Sequence, residues 1–209
     1  MIKRLMAQVA VLGVGALALL GLGAVSSVLT RGDTLAGPSV VIGADSTSAF
    51  ATMQGELKAT RQELERAHQI LDFSGRYSIP ADLSATIYDN AVAEGIPASV
   101  GFQLVKIESD FKNNAASYAS AIGLTQLRLP TARAYDSQLN ESDLRNPDVN
   151  LRIGFRYLKD LLKRFDNNAA LALEAYNKGP TLVAAQQELG MQIEGKYSRA
   201  VLGGLRKRT

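Results

Sequence analysis

The chain has no cysteine and a single histidine, His68. Without a thiol there is no disulfide, no thiolate zinc site, no cysteine nucleophile and no N-terminal lipoprotein cysteine. One imidazole excludes a multi-histidine metal centre. A Ser-His mechanism would need His68 in a cleft, whereas its neighbours Arg66 and Gln69 read as a solvated helix. Net charge is scarce as well: the formal value is +3, and Lys3, Arg4, Arg206, Lys207 and Arg208 at the two ends account for all of it. The body is near neutral and offers nucleic acid no electrostatic footing. Alternating strand patterns are also missing. Carboxylates, hydroxyls, amides and cations remain for chemistry, and neither a metal nor a cofactor is expected.

A length of 209 residues, 46% apolar and 21% charged, fits one folded domain of usual size with accessories. Residues 5–30 carry no charge, and about 26 residues at about 1.5 Å each reach across a hydrocarbon layer of about 30 Å. Lys3 and Arg4 precede that stretch, so the positive-inside rule keeps the N-terminus cytoplasmic and exports the rest. The reading is a membrane anchor. Ala24-Val25-Ser26 offers cleavage spacing for a removable signal instead. Gly13-Val14-Gly15 imitates a dinucleotide fingerprint but lacks the strand and acidic partner that such a site needs.

Residues 31–48, rich in Gly, Ser, Thr and Ala, suit a flexible tether. A heptad-like period follows through Phe50, Met53, Leu57, Thr60, Leu64, Ala67 and Leu71, with Glu56, Arg61, Glu63, Glu65 and Arg66 elsewhere on the wheel. The expectation is an amphipathic helix lying on the domain, with self-association as the alternative because Thr60 and Ala67 weaken the seam. From Tyr77 onward only helices are read. Leu83, Ile87, Tyr88 and Ala91 mark one, stopped by Gly95, and Pro97 opens the next. Leu151, Gly154, Phe155, Leu158, Leu161, Leu162 and Phe165 give the strongest period. A further helix over 169–177 ends at Gly179-Pro180.

One carboxylate stands on the wrong face. At about 100° per residue, Gly101, Leu104 and Val105 lie within about 60° of Glu108, while Ser99, Gln103, Lys106 and Asp110 collect opposite. A carboxyl among apolar neighbours has its pKa raised and holds a proton near neutral pH, which a general acid requires. Asp110, on the polar side, is a poor second catalytic acid.

The run Glu108-Ser109-Asp110-Phe111, then Ser117, Gly123-Leu124-Thr125-Gln126-Leu127 and Thr131-Ala132, resembles the catalytic stretch of the soluble lytic transglycosylase family. Asn146-Pro147, Asn150-Leu151, Gly154, Tyr157-Leu158, Ala175-Tyr176-Asn177 and Tyr197 continue the resemblance in order, from about Tyr77 to Leu202. It implies a mainly α, lysozyme-like (goose-lysozyme-like) domain over 77–209, preceded by the transmembrane or signal segment at 1–33 and the linker and stalk helix at 34–76. It further implies cleavage of the β-1,4 bond between N-acetylmuramic acid and N-acetylglucosamine in peptidoglycan with formation of 1,6-anhydro ends. In that scheme Glu108 is first acid, then base; Ser117 and Tyr197 orient it; Gln126, Tyr176 and Asn177 contact glycan. The expected setting is the extracytoplasmic face of the cytoplasmic membrane, anchored by residues 5–30, with glycan strands as substrate and an envelope assembly as partner. A glycan-binding assembly protein and a muramidase of the same fold are the alternatives. The chain departs from the pattern at Ser120, where the family has glycine, at Thr125 for methionine, at Pro130, one place later than usual, and at Arg128, a usually apolar position. Glu174 replaces a small residue and is expected to be a solvated charge.

Overall fold

Prolines, glycines and asparagine caps divide the body into helices. In the computed structural model, which describes residues 44–117 and 120–206, α1 (Ala44–Tyr77) is followed by α2 (Ala81–Ala93) and α3 (Ala98–Ser109). Gly95 takes a left-handed turn (φ 74°) and Pro97 caps α3. Then come β1 (Ala121–Ile122), β2 (Leu127–Arg128) and α4 (Leu129–Arg133), a 3-10 turn at Asp143–Arg145, and α5 (Pro147–Arg164). The chain ends in α6 (Ala169–Lys178), α7 (Pro180–Glu188) and α8 (Lys196–Arg206). Asn146 accepts from the N–H groups of Asp148 and Val149 ahead of Pro147, and Asn168 accepts from Leu171, so α5 and α6 begin where side-chain oxygens satisfy orphan donors.

The stripe read for α5 is its buried face: Leu151, Phe155 and Leu158 meet Ile87 and Ala91 of α2, Phe102, Leu104 and Val105 of α3, Leu173 of α6 and Val201 of α8 in one core. Burying each such large side chain contributes about 1.5–3 kcal/mol. Phe73 and Tyr77 at the end of α1 stack on Phe102, with centroids 4.1 and 5.6 Å away, so that end of α1 belongs to the same core.

Three expectations need correction. The body is not helical throughout: β1 and β2 pair antiparallel, Ala121 with Arg128 and Ile122 with Leu127. Two residues per strand are too few for an alternating pattern to register. Residues 44–48, read as tether, already belong to α1. The stalk seam does not lie on the domain, since Phe50, Met53, Leu57, Leu64 and Leu71 are exposed and α1 docks through Ile70 and Phe73 instead. His68 is exposed, as read. Among the described residues no helix is long and apolar enough to cross a membrane; the anchor expected at residues 5–30 lies outside the described residues.

The loop between β1 and β2 is held by one buried amide. Asn150 Oδ1 accepts from the Thr125 N–H (2.8 Å) and hydroxyl (2.7 Å), and its Nδ2 donates to the carbonyls of Ile122 (2.9 Å) and Leu144 (3.0 Å). Two glycines make room for it. A Cβ on Gly123 (φ 78°) would stand 2.4 Å from Asn150 Nδ2, and one on Gly154 2.4 Å from Thr125 Oγ1. Thr125 thus takes part in a closed polar cluster that a thioether could not complete.

Ser120 has φ 56°, a left-handed conformation that costs a residue with a Cβ about 1 kcal/mol. This accounts for the glycine that the resemblance leads one to expect there. Ser120→Gly is expected to raise stability by about 1 kcal/mol and the melting temperature by about 4 °C, read by thermal unfolding; an unchanged or lower midpoint would contradict the strain.

Candidate active site

Helix α3 carries Glu108 to the floor of a cleft. Its inner face is fixed by Gly101, where a Cβ would come within 3.0 Å of Ala91 and 3.1 Å of Phe155, so α3 packs closely on α2 and α5. Ser109 ties the helix end down: its hydroxyl, within reach of the Val105 and Leu124 carbonyls, links α3 to the β1–β2 loop. Asp110 ends the helix in a left-handed conformation and faces solvent beside Lys106 and Lys112, at 3.5 and 3.8 Å. It stands apart from the cleft.

The cleft has a volume of about 410 Å³ and brings together Glu108, Ser117, Gln126, Tyr176 and Asn177. Tyr197, from α8, donates its hydroxyl proton to Glu108 Oε1. Burial pushes the Glu108 carboxyl above the ordinary glutamate value, and the Tyr197 hydrogen bond, which favours the anion, opposes that rise. One oxygen is therefore fixed while the other can carry the transferable proton. Tyr197 is itself pushed well up, by burial first and then by the charge of Glu108, so it stays a neutral donor.

Tyr176 donates to the Thr125 carbonyl (2.9 Å), which clamps α6 to the loop, and its ring lies 5.2 Å from that of Tyr157. Burial, followed by the Glu108 charge, raises its pKa too. Gln126 sits in the left-handed region (φ 48°) and its Nε2 donates to the carbonyls of Gly123 (3.0 Å) and Ala115 (3.2 Å). Its amide plane is thereby set with the oxygen as the remaining acceptor. Ser117 lines the cleft and its oxygen accepts from the Ala121 N–H (3.2 Å), while the hydrogen bond to Glu108 comes from Tyr197. Asn177 is exposed at the rim.

Glu174 is the clearest departure from expectation. It is 1% exposed, accepts from the Ser198 N–H (2.8 Å) and pairs with Lys178 Nζ (2.9 Å). Burial alone would raise its carboxyl, but the Ser198 hydrogen bonds and Lys178 hold it below the usual range. Glu174 is buried because α8 packs over it on α6, although Ala170 and Asn177, one turn to either side, are exposed. Bonded to the first turn of α8, next to Tyr197, this anion satisfies an orphan N–H and fixes the helix that delivers the tyrosine.

Sequence reasoning did not count Tyr157, Thr131, Arg128 and Lys178 among the site residues, although all four line the cleft. Arg128 had been noted as out of place on an apolar position, and that was the available signal. Among the described residues Glu108 is the one acidic side chain lining the cleft, and no cluster of His, Asp and Glu could hold a metal.

Residues 86–197 match the Transglycosylase SLT domain, more than half of the chain and the whole of this cleft. The chain belongs to the transglycosylase SLT family. Its body is also similar to an inactive mutant of the lytic transglycosylase Slt from Pseudomonas aeruginosa, at 28% identity over 57% of this chain and 22% of that one, with a TM-score of 0.51. The 70 kDa soluble lytic transglycosylase from Escherichia coli shares the fold at 24% identity, 63% coverage of this chain, 24% of that one and a TM-score of 0.52. A complex of the 70 kDa enzyme with bulgecin A does so at 22% identity over 63% of this chain and 24% of that one, with a TM-score of 0.54. This family member therefore spans about a quarter of the length of those proteins.

Proposed function

We propose that this chain is a peptidoglycan lytic transglycosylase that cuts the β-1,4 bond between N-acetylmuramic acid and N-acetylglucosamine and leaves a 1,6-anhydro end. The observation that carries the reading is a lone, partly buried carboxyl in a sugar-sized cleft, with its pKa raised and one oxygen held by Tyr197. Glu108 protonates the glycosidic oxygen as the bond to the anomeric carbon breaks. The resulting carboxylate then takes the proton from the sugar's own C6 hydroxyl, whose oxygen closes onto that carbon. The proton count balances and no water enters.

A retaining or inverting hydrolase needs a second carboxylate as nucleophile or water activator. Asp110 faces away from the cleft, and Glu174 is committed to Ser198 and Lys178. Substrate-assisted closure needs neither. The faces of Tyr157 and Tyr176 suit pyranose rings, and the amides of Gln126 and Asn177 suit hydroxyl and N-acetyl groups. We place the enzyme at the outer face of the cytoplasmic membrane, where residues 5–30 anchor it, 34–76 serve as stalk and 77–209 as catalytic domain.

Digestion of purified peptidoglycan by the full chain, followed by mass analysis of the sugar ends, tests the reading. Anhydro ends are expected. Reducing ends would replace the lyase with a muramidase, and glycan bound but uncut would replace it with the assembly protein.

A further inference from the structure

The exposed seam of α1 remains unexplained by the cleft. Phe50, Met53, Leu57, Leu64 and Leu71 are 51–70% exposed and, with Thr60 and Ala67, fall on alternating three- and four-residue steps along one side of a continuous helix. With Phe50, Leu57, Leu64 and Leu71 at the a positions, Met53, Thr60 and Ala67 take d. Glu56 and Glu63 then fall at g, and Arg61 and His68 at e. From the pattern of these four charged or ionisable side chains we propose that α1 forms a parallel, in-register, two-stranded coiled coil with a second copy of this chain.

The pattern selects both the partner and its direction. In a parallel pair, a g residue faces the e residue five places further on in the other strand. Glu56 meets Arg61 of the second copy and Glu63 meets His68, and by symmetry each pair forms twice. An antiparallel pair would set g against g and e against e; in the register that places Leu57 opposite Ala67 and Leu64 opposite Thr60, Glu63 meets Glu63 and Arg61 meets Arg61, which is unfavourable. Among the described residues none of these four side chains is used in a hydrogen bond or ion pair within the monomer.

Docking on the body leaves the seam clear. Arg66 pairs with Asp89, and Ile70 and Phe73 are buried, all on c and g positions about a quarter-turn from the a/d stripe. The two catalytic bodies sit outside the coil, and both α1 N-termini lie at the same end. Thr60 and Ala67 at d make the association modest and concentration-dependent.

Because the chain has no cysteine, single substitutions report the geometry cleanly. The full-length chain in detergent micelles would be made as Met53→Cys, Ala67→Cys and Gln62→Cys, the last at the outward f position, and oxidised at equal concentration. The expected result is a Met53→Cys homodimer formed at least about tenfold more than the Gln62→Cys one. Mixing Met53→Cys with Ala67→Cys chains should give little mixed species. Glu56→Lys with Glu63→Lys should weaken association at least about tenfold, and adding Arg61→Glu and His68→Glu to the same chain should restore it. A dominant Met53–Ala67 cross-link, equal cross-linking at Gln62, or a monomer by sedimentation at about 100 µM would overturn the proposal. Glycan cleavage is unaffected in each outcome, so the enzymatic reading stands or falls separately.

Discussion

Replacing Glu108 by glutamine is expected to lower the rate of anhydro-end formation by about 10²–10⁴-fold, the usual contribution of a positioned acid–base group, with glycan binding retained. The amide keeps the shape and can still accept from Tyr197 but has no proton to give. For the intact enzyme, activity should fall as pH rises through the raised Glu108 value, because burial holds the carboxyl protonated and the acid form starts the reaction. Tyr197→Phe removes the bond that stabilises the anion, so this alkaline limb should shift to higher pH while the maximal rate drops. Stability runs in the same direction. A carboxyl whose folded pKa exceeds its unfolded one contributes fully below the ordinary glutamate range, and that contribution is lost as pH rises through the folded value. Glu108→Gln should therefore be more stable than the parent at pH near 8 and equal to it near pH 4. Full activity in the variant, or a pH-independent rate, would remove Glu108 from the mechanism.

Asn150→Leu carries the largest expected loss of stability. The substitution keeps the volume but abandons four bonds, leaving the Thr125 N–H and hydroxyl and the carbonyls of Ile122 and Leu144 without their amide partner. A buried polar group left unsatisfied costs about 1–3 kcal/mol, so the sum is about 3 kcal/mol or more. That is a large share of the total for a domain of this size, and the melting temperature should fall by about 10 °C or more. Asn150→Asp serves as the second variant. It keeps the acceptor for Thr125 but turns an oxygen toward two carbonyls, and it too should be strongly destabilised. Near-native melting of both would show that the cluster is dispensable. Since Thr125 also receives the Tyr176 hydroxyl through its carbonyl, any folded variant should lose cleft activity as well.

Much of this architecture was legible beforehand because the helices obey periodic rules. The α5 stripe, the Gly95 and Gly179 breaks and the inward placement of Glu108 on α3 all follow from spacing and backbone chemistry. Gathering Gln126, Tyr176 and Tyr197 around that glutamate rested on resemblance, since they arrive from a loop and two later helices. Glu174 misled because a helical charge beside alanines reads as solvated. Nothing in its own segment reveals that α8 will cover it with an N–H in need of an acceptor. Arg128, Thr131, Tyr157 and Lys178 went uncounted for a similar reason, as a cleft wall is made by elements far apart in sequence.

The sequence by itself determined that the segments of α2, α3, α5 and α6 are helical, that α5 carries a strong apolar stripe, and that a carboxyl had been placed on the apolar face of α3. These are properties of neighbours three and four residues apart. Only the tertiary structure decided that Tyr197 reaches that carboxyl, that Glu174 is a buried anchor for α8, and that the α1 seam is left uncovered. Each depends on what another element brings to within a few ångströms, and local periodicity carries no record of that.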